Sequence, residues 1–134
     1  MLLQKDLKKI FTNLVNHDVA YVRIGDSEVT IRIHDQATKL SLFASVFQGG
    51  NFIPKSVRES LVKKTPFQQP QVKTNFRVDE ANYRVFLHYL GRIELLNHEK
   101  FKELLEEFGW LADEWRTFLE DRGKQDLVHV HSKK

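Results

Sequence analysis

Cysteine is absent from the 134 residues, which excludes disulfide cross-links, a thiol nucleophile and every thiolate metal site, and fits a reducing compartment. No apolar run approaches the roughly 20 residues that cross a bilayer, and residues 1–11 are amphipathic and lysine-bearing where a secretion leader would be uninterruptedly apolar. Membrane insertion is therefore not expected, and a cytosolic protein is. Internal repeats and low-complexity stretches are missing too. No serine sits in a Gly-x-Ser-x-Gly elbow. His17, His34 and His88 fall on different segments with no carboxylate at a diagnostic spacing.

Two strings imitate enzyme motifs and fail at a decisive position. Gly49-Gly50-Asn51-Phe52-Ile53-Pro54-Lys55-Ser56 follows a strand and opens a helix like a phosphate-binding loop, but the residue before the lysine is Pro54. Proline has no N–H to offer a phosphate and its φ is locked. His98-Glu99 begins like a zinc-protease helix, yet residue 102, where the second ligand belongs, is Lys102. His129 and His131 flank Val130 near the end of the chain, where two imidazoles pick up a metal only adventitiously. A non-catalytic protein with no cofactor and no metal is expected.

What is present suits one ordinary globular domain: 41% hydrophobic residues, 29% charged, and ten Phe, three Tyr and two Trp to fill an interior. Leu3, Leu7, Ile10, Phe11 and Leu14 form one stripe of an amphipathic helix that Asn16-His17-Asp18 ends. The period then falls to two. Ala20, Val22 and Ile24 alternate with Val19, Tyr21 and Arg23, and after Gly25-Asp26 the pattern returns in Val29, Ile31 and Ile33, a hairpin. Lys39 to Phe47 reads as a third strand, with Leu40, Leu42, Ala44 and Val46 on one side and Ser41, Phe43, Ser45 and Phe47 on the other.

Gly49-Gly50-Asn51 breaks that strand, and Pro54 opens a short helix over residues 55–64 with Val57, Leu61 and Val62 as a sparse apolar side. Pro66 and Pro70 mark a loop. Val72, Thr74, Phe76 and Val78 then run to a turn at Asp79-Glu80 and return as Tyr83, Val85, Leu87 and Tyr89. Asn97 is a candidate cap for a long helix carrying Phe101, Leu104, Leu105, Phe108, Leu111, Ala112, Trp115, Phe118 and Leu119, expected to stop near Gly123. The fold class is thus α+β, in the order helix, three strands, helix, two strands, helix, with a mainly antiparallel five-stranded sheet covered by helices. One domain spans residues 1–122, and residues 123–134 are expected to be a flexible C-terminal tail.

Charge is unevenly spread. Residues 1–54 carry 6 basic and 5 acidic groups, 55–92 carry 8 and 3, 93–122 carry 4 and 9, and 123–134 carry 3 and 1, summing to the net +3. The carboxylates of the last helix, with Lys102–Glu106 and Asp113–Arg116 at pairing distance, read as a solvated surface. The basic 55–92 region, with Lys55, Arg58, Lys63, Lys64, Lys73, Arg77 and Arg84, supports one alternative function, a small nucleic-acid-binding protein. No RNA- or DNA-binding motif accompanies it, and apolar surface on the first helix, the third strand and the short helix favours binding to a protein instead.

The order of elements, together with Leu95-Leu96-Asn97-His98-Glu99-Lys100-Phe101-Lys102-Glu103-Leu104-Leu105-Glu106-Glu107-Phe108 and Leu111-Ala112-Asp113-Glu114-Trp115-Arg116, resembles the class I type III secretion chaperones, the Tir-chaperone family. In that family the last helix carries a similar run of Leu and Phe followed by Trp, and a hydrophobe–Pro pair like Ile53-Pro54 opens the short middle helix. The resemblance covers about residues 3–122. It implies a non-catalytic homodimer in the bacterial cytoplasm that binds the N-terminal segment of a secreted effector and keeps it export-competent. It further implies a dimer interface at Val57, Leu61, Val72 and Phe76, and cargo contacts at Leu7, Phe11, Tyr21, Phe43 and Phe47. This chain departs from the family in being basic, with a sequence pI near 9.2. That charge suits an acidic cargo, or an acidic second subunit in a heterodimer.

Overall fold

The computed structural model describes residues 2–63 and 73–132. Helix α1 (Gln4–His17) is followed by strands β1 (Val19–Ile24), β2 (Ser27–His34) and β3 (Lys39–Gln48), helix α2 (Lys55–Lys63), strands β4 (Thr74–Asp79) and β5 (Arg84–Arg92), a short 3-10 turn, and helix α3 (His98–Ser132). The five strands form one antiparallel sheet in the order β1-β2-β3-β5-β4. The α+β order read from the sequence is the order of the fold.

Local chemistry sets the ends of the elements. The Leu3 N–H donates to the Asp6 carboxylate at 3.0 Å, satisfying one free donor at the start of α1. Asp18 closes the helix in the left-handed region at φ 60°, its N–H returning to the Leu14 carbonyl at 3.0 Å. Asn97 caps α3, its side-chain oxygen accepting the Lys100 N–H at 2.8 Å. Pro54 lies one place earlier than the first helical position, and its carbonyl accepts the first α2 bond from the Arg58 N–H at 3.1 Å.

The core lies on one face of the sheet. Leu7, Ile10 and Leu14 of α1 and Phe101, Leu105, Phe108, Leu111, Trp115 and Leu119 of α3 are buried with Ala20, Val29, Ile31, Leu42, Ala44, Val85 and Leu87. Trp115 meets Phe76 of β4 edge-on, ring centroids 4.8 Å apart. Gly109 lets α3 approach β1, since a Cβ there would stand 2.4 Å from an Ile24 methyl carbon. Helix α2 packs on α3 through Val57, and the Ser56 hydroxyl donates to the Arg122 carbonyl at 3.0 Å.

Three readings from the sequence change here. Strand β3 does not keep strict alternation to its end: the pairing with β5 slips between Ser45 and Phe47, so that Phe47 lies opposite Val85. A bulge of one residue swaps the face of everything beyond it. Phe47 therefore turns to the helix side and is buried, not on the second face with Phe43. The last helix does not stop at Gly123 but continues to Ser132. Gly123 serves close packing instead of a left-handed cap, because a Cβ there would lie 3.2 Å from the Phe47 ring and 3.7 Å from Pro54. The Asp113–Arg116 pair is not a solvated surface pair; it is half-buried against the β1–β2 turn. Glu106, expected to pair with Lys102, accepts the Leu2 N–H at 3.0 Å.

Candidate functional site

The strings that imitate enzyme motifs are occupied structurally. The Gly49 N–H donates to the Tyr83 carbonyl at 2.7 Å, Ser56 is bonded to Arg122, and the Lys55 ammonium lies 4.0 Å from Glu59. A hollow of about 220 Å³ beside them is lined by Phe47, Gly49, Phe52, Pro54, Glu120 and Lys124. Among the described residues no three His, Asp or Glu side chains are grouped to hold a metal. The side chains of His129 and His131 lie outside that description.

The face of the sheet opposite α1 and α3 is differently furnished, and among the described residues no helix covers it. Pairing places its side chains in rows. Tyr21, Thr30, Phe43, His88 and Asn75 form the central row across all five strands. Arg32, Ser41 and Leu90 form the row on one side, and Ser45, Phe86 and Arg77 the row on the other. Tyr21 is 58% exposed and Leu90 52%, whereas Phe43 and Phe86 are half-buried. The face thus presents an apolar, aromatic middle to solvent.

His88 anchors that middle. Its ring lies 4.4 Å from Phe43, and Nδ1 is 3.0 Å from the Asn75 side-chain oxygen, which puts the ring proton on Nδ1, since an amide oxygen only accepts. Burial lowers the His88 pKa below the usual imidazole value, and the neighbouring Arg77 and His34 charges lower it further. His34 in turn shares a hydrogen bond with the Ser41 hydroxyl at 2.7 Å. Both histidines are explained by the sheet's own hydrogen bonds.

The cations around the face fall into two kinds. Arg23 lies 4.0 Å from Glu28, Lys39 3.6 Å from Asp35, and Arg92 forms an ion pair with Glu94. Arg84 lies over the Phe86 ring at 4.9 Å. Arg32 and Arg77 have no carboxylate within ion-pair distance among the described residues. In the basic 55–92 region Arg58 is engaged bidentately by Glu80 at 2.7 and 3.0 Å. That hydrogen bond raises the Arg58 pKa and lowers the Glu80 pKa. Lys64 lies outside the described residues. Arg58, one of the eight basic groups of this region, is therefore held by an internal ion pair and not open to a phosphate.

The residues expected to contact cargo separate. Tyr21 and Phe43 share the uncovered face, one Thr30 apart. Phe11 lies on the helix side, partly exposed, with its ring 5.3 Å from Phe101 and 5.4 Å from His98. Leu7, on the inner side of α1, and Phe47 are core residues. Of the residues expected at a dimer interface, Val57 is fully buried against α3 and Leu61 is half-buried. Phe76 is half-buried on Trp115, and Val72 lies outside the described residues. Val62, 82% exposed on α2, and Val78, exposed on the outer strand β4, supply the open apolar surface there.

Sequence reasoning overlooked Leu90 and Trp110. Leu90 was legible, because Phe86, His88 and Leu90 alternate against Val85, Leu87 and Tyr89. Trp110 stands 47% exposed on α3, outside the apolar stripe, spaced from Glu103, Glu107 and Glu114 so as to share their side of the helix.

No protein-family model and no curated protein sequence matches the chain. Solved structures do. A chain of the ExsC-ExsE complex superposes with a TM-score of 0.63 at 18% identity, covering 88% of this chain and 96% of that one. A chain of the heterodimeric ExoU-SpcU complex from the type III secretion system of Pseudomonas aeruginosa gives 0.58 at 12% identity, covering 80% and 87%. The structure of the Yersinia pestis type III secretion chaperone SycH with a stable fragment of YscM2 gives 0.56 at 15% identity, covering 81% and 95%. At such identities the likeness is one of fold, and the fold is that of the type III secretion chaperones.

Proposed function

We propose that this chain is a non-catalytic chaperone of the bacterial cytoplasm that binds the N-terminal segment of a secreted effector and keeps it export-competent. The observation that carries the reading is the uncovered sheet face with Tyr21, Phe43 and Leu90 open to a partner, on a fold whose solved relatives are protein–protein complexes. Shallow apolar anchoring on that face combines with strand addition at β1, an outer strand whose backbone groups are available to an extended segment. Phe11 extends the apolar surface onto the helix side. Dimerisation through α2 and β4 uses Leu61, Val62 and Phe76, with an identical or an acidic second subunit.

The test is to purify the tagged chain from its host, identify the bound protein, and remove that protein's N-terminal segment. Loss of capture on truncation, and on Phe43→Asp in the chaperone, is the expected result. Retention of capture by a cargo lacking its N-terminal segment overturns the assignment. Copurifying nucleic acid that dissociates steeply with salt would instead favour the nucleic-acid reading.

A further inference from the structure

The geometry points to an acidic cargo segment: Arg32 and Arg77 are placed to hold two carboxylates that flank an apolar side chain seated against Phe43. This rests on the chaperone reading of the same face and adds the chemistry of what it selects. Among the described residues Arg32, on β2, and Arg77, on the outer strand β4, are exposed guanidinium groups of the face without a carboxylate in ion-pair distance; Arg84 also has none but lies over the Phe86 ring, and Lys73 has none but carries an ammonium and not a fork-shaped donor. They stand on opposite sides of the central row. An arginine with no internal partner on a partly apolar surface keeps a weakly hydrated, fork-shaped donor ready for a carboxylate.

The sheet geometry sets a spacing. Arg32 and Arg77 are three strands apart and four residues apart along the strands, which puts their Cα atoms roughly 20 Å apart at about 4.8 Å per strand and 3.3 Å per residue. An extended segment covers that diagonal in about six residues. The diagonal passes with Phe43 and Phe86 on one side and His88 and Leu90 on the other, so the middle of the segment is the part that meets aromatic surface. The matching pattern is an acidic residue, an apolar or aromatic residue near the centre, and a second acidic residue about six positions from the first. A polypeptide fits better than a nucleic acid. Glu28 and Asp79 also belong to this face and repel a continuous phosphate backbone, while β1 beside Tyr21 offers a strand edge that only a peptide backbone can pair with.

The proposal is tested by NMR titration of the full-length labelled chain with three peptides of equal length, each with a central Phe and ending in Glu, Gln or Lys at the spacing above. A single-stranded oligodeoxythymidine is the fourth probe. The expected result is perturbation of the Arg32, Phe43, His88, Leu90 and Arg77 amides by the Glu peptide, with affinity roughly tenfold above that of the Gln peptide. The double variant Arg32→Glu/Arg77→Glu should invert the preference in favour of the Lys peptide. Both positions are exposed, so the variant tests charge and not folding. Equal binding of all three peptides, abolished by Phe43→Asp, overturns the charge selection and leaves the chaperone reading standing. Perturbation of this face by none of them, or by the oligonucleotide alone, overturns the proposal, and capture of natural cargo by the same preparation then decides the chaperone reading separately.

Discussion

The Ser27 hydroxyl donates to the Asp113 carboxylate at 2.5 Å, joining the start of β2 to the middle of α3 across 86 residues of chain. The same carboxylate accepts the Asp26 N–H at 3.2 Å and the Arg116 guanidinium at 2.7 Å, and Arg116 donates to the Ser27 hydroxyl oxygen at 2.7 Å. One helix carboxylate thus fixes the β1–β2 turn, and with it the outer strand that carries Tyr21.

Asp113→Asn should cost about 2–3 kcal/mol, the scale of charge-assisted hydrogen bonds in a half-buried setting. Burial pushes the Asp113 carboxyl up, but the Ser27, Arg116 and Asp26 donors and the Arg116 charge outweigh it and hold the pKa below the ordinary 3.8. A folded-state pKa below the unfolded value means that the contribution is full above that value and is lost as pH falls through the folded pKa. Denaturant melts of both proteins should show a constant gap at neutral pH that closes below 3.8.

Gly25 makes the turn at φ 60°, and a Cβ on it would stand 2.2 Å from an Asp113 carboxylate oxygen. Gly25→Ala should therefore destabilise by about 2 kcal/mol, through left-handed strain and displacement of Asp113 together. In the Asp113→Asn background the penalty should shrink, and additive losses in the double variant would show that only the backbone strain matters.

The β2–β3 turn runs through the left-handed region at three successive non-glycine residues, Asp35, Gln36 and Ala37, with φ of 53°, 56° and 67°. Ala37 has no side-chain group to compensate. Ala37→Gly should raise stability by about 0.5–1 kcal/mol, the relief of strain less the added freedom of the unfolded chain. A lower midpoint in urea would contradict that reading of the turn.

Leu61→Asp and Val62→Asp should each reduce the mass seen by light scattering to that of one 15.8 kDa chain. Val62 is the cleaner probe, because at 82% exposure its replacement leaves the core untouched. An unchanged mass in both variants would place the interface away from α2.

His88 gives the fold a pH dependence. With its pKa lowered below 6.5 by burial first and by Arg77 and His34 next, the unfolded chain binds the proton more readily than the folded one. Its contribution is therefore intact above 6.5 and declines as pH drops below it. The thermal midpoint should fall over that range in the native protein, and the fall should be smaller in His88→Gln.

Much of the architecture was legible because the hydrophobic period changes cleanly along the chain. The alternation from Val19 to Ile33 and the stripe from Phe101 to Leu119 name their elements directly, and Asn97 marks the start of α3. The site was legible only in part. Tyr21 and Phe43 came out on one open face because strict alternation holds that far along β1 and β3. Phe47 did not, because a bulge leaves no mark in a run where every residue is apolar or small. Leu7 and Val57 are buried, and the sequence does not show it because a narrow stripe looks alike whether it meets the chain's own core or a partner.

The type and order of the elements and the basic balance of residues 55–92 follow from the order of residues alone, since periodicity, caps and charge are properties of neighbours along the chain. Which face of the sheet the helices cover, and that Gly123 is a packing contact, follow from the packing of distant elements. The same holds for Asp113, which fastens a turn 86 residues away, and for Arg58, which is paired with Glu80 while Arg32 and Arg77 have no carboxylate in ion-pair distance among the described residues. Each of these depends on strand register and on the approach of α3 to the sheet, where a shift of one residue reverses a face and no local pattern records the partner.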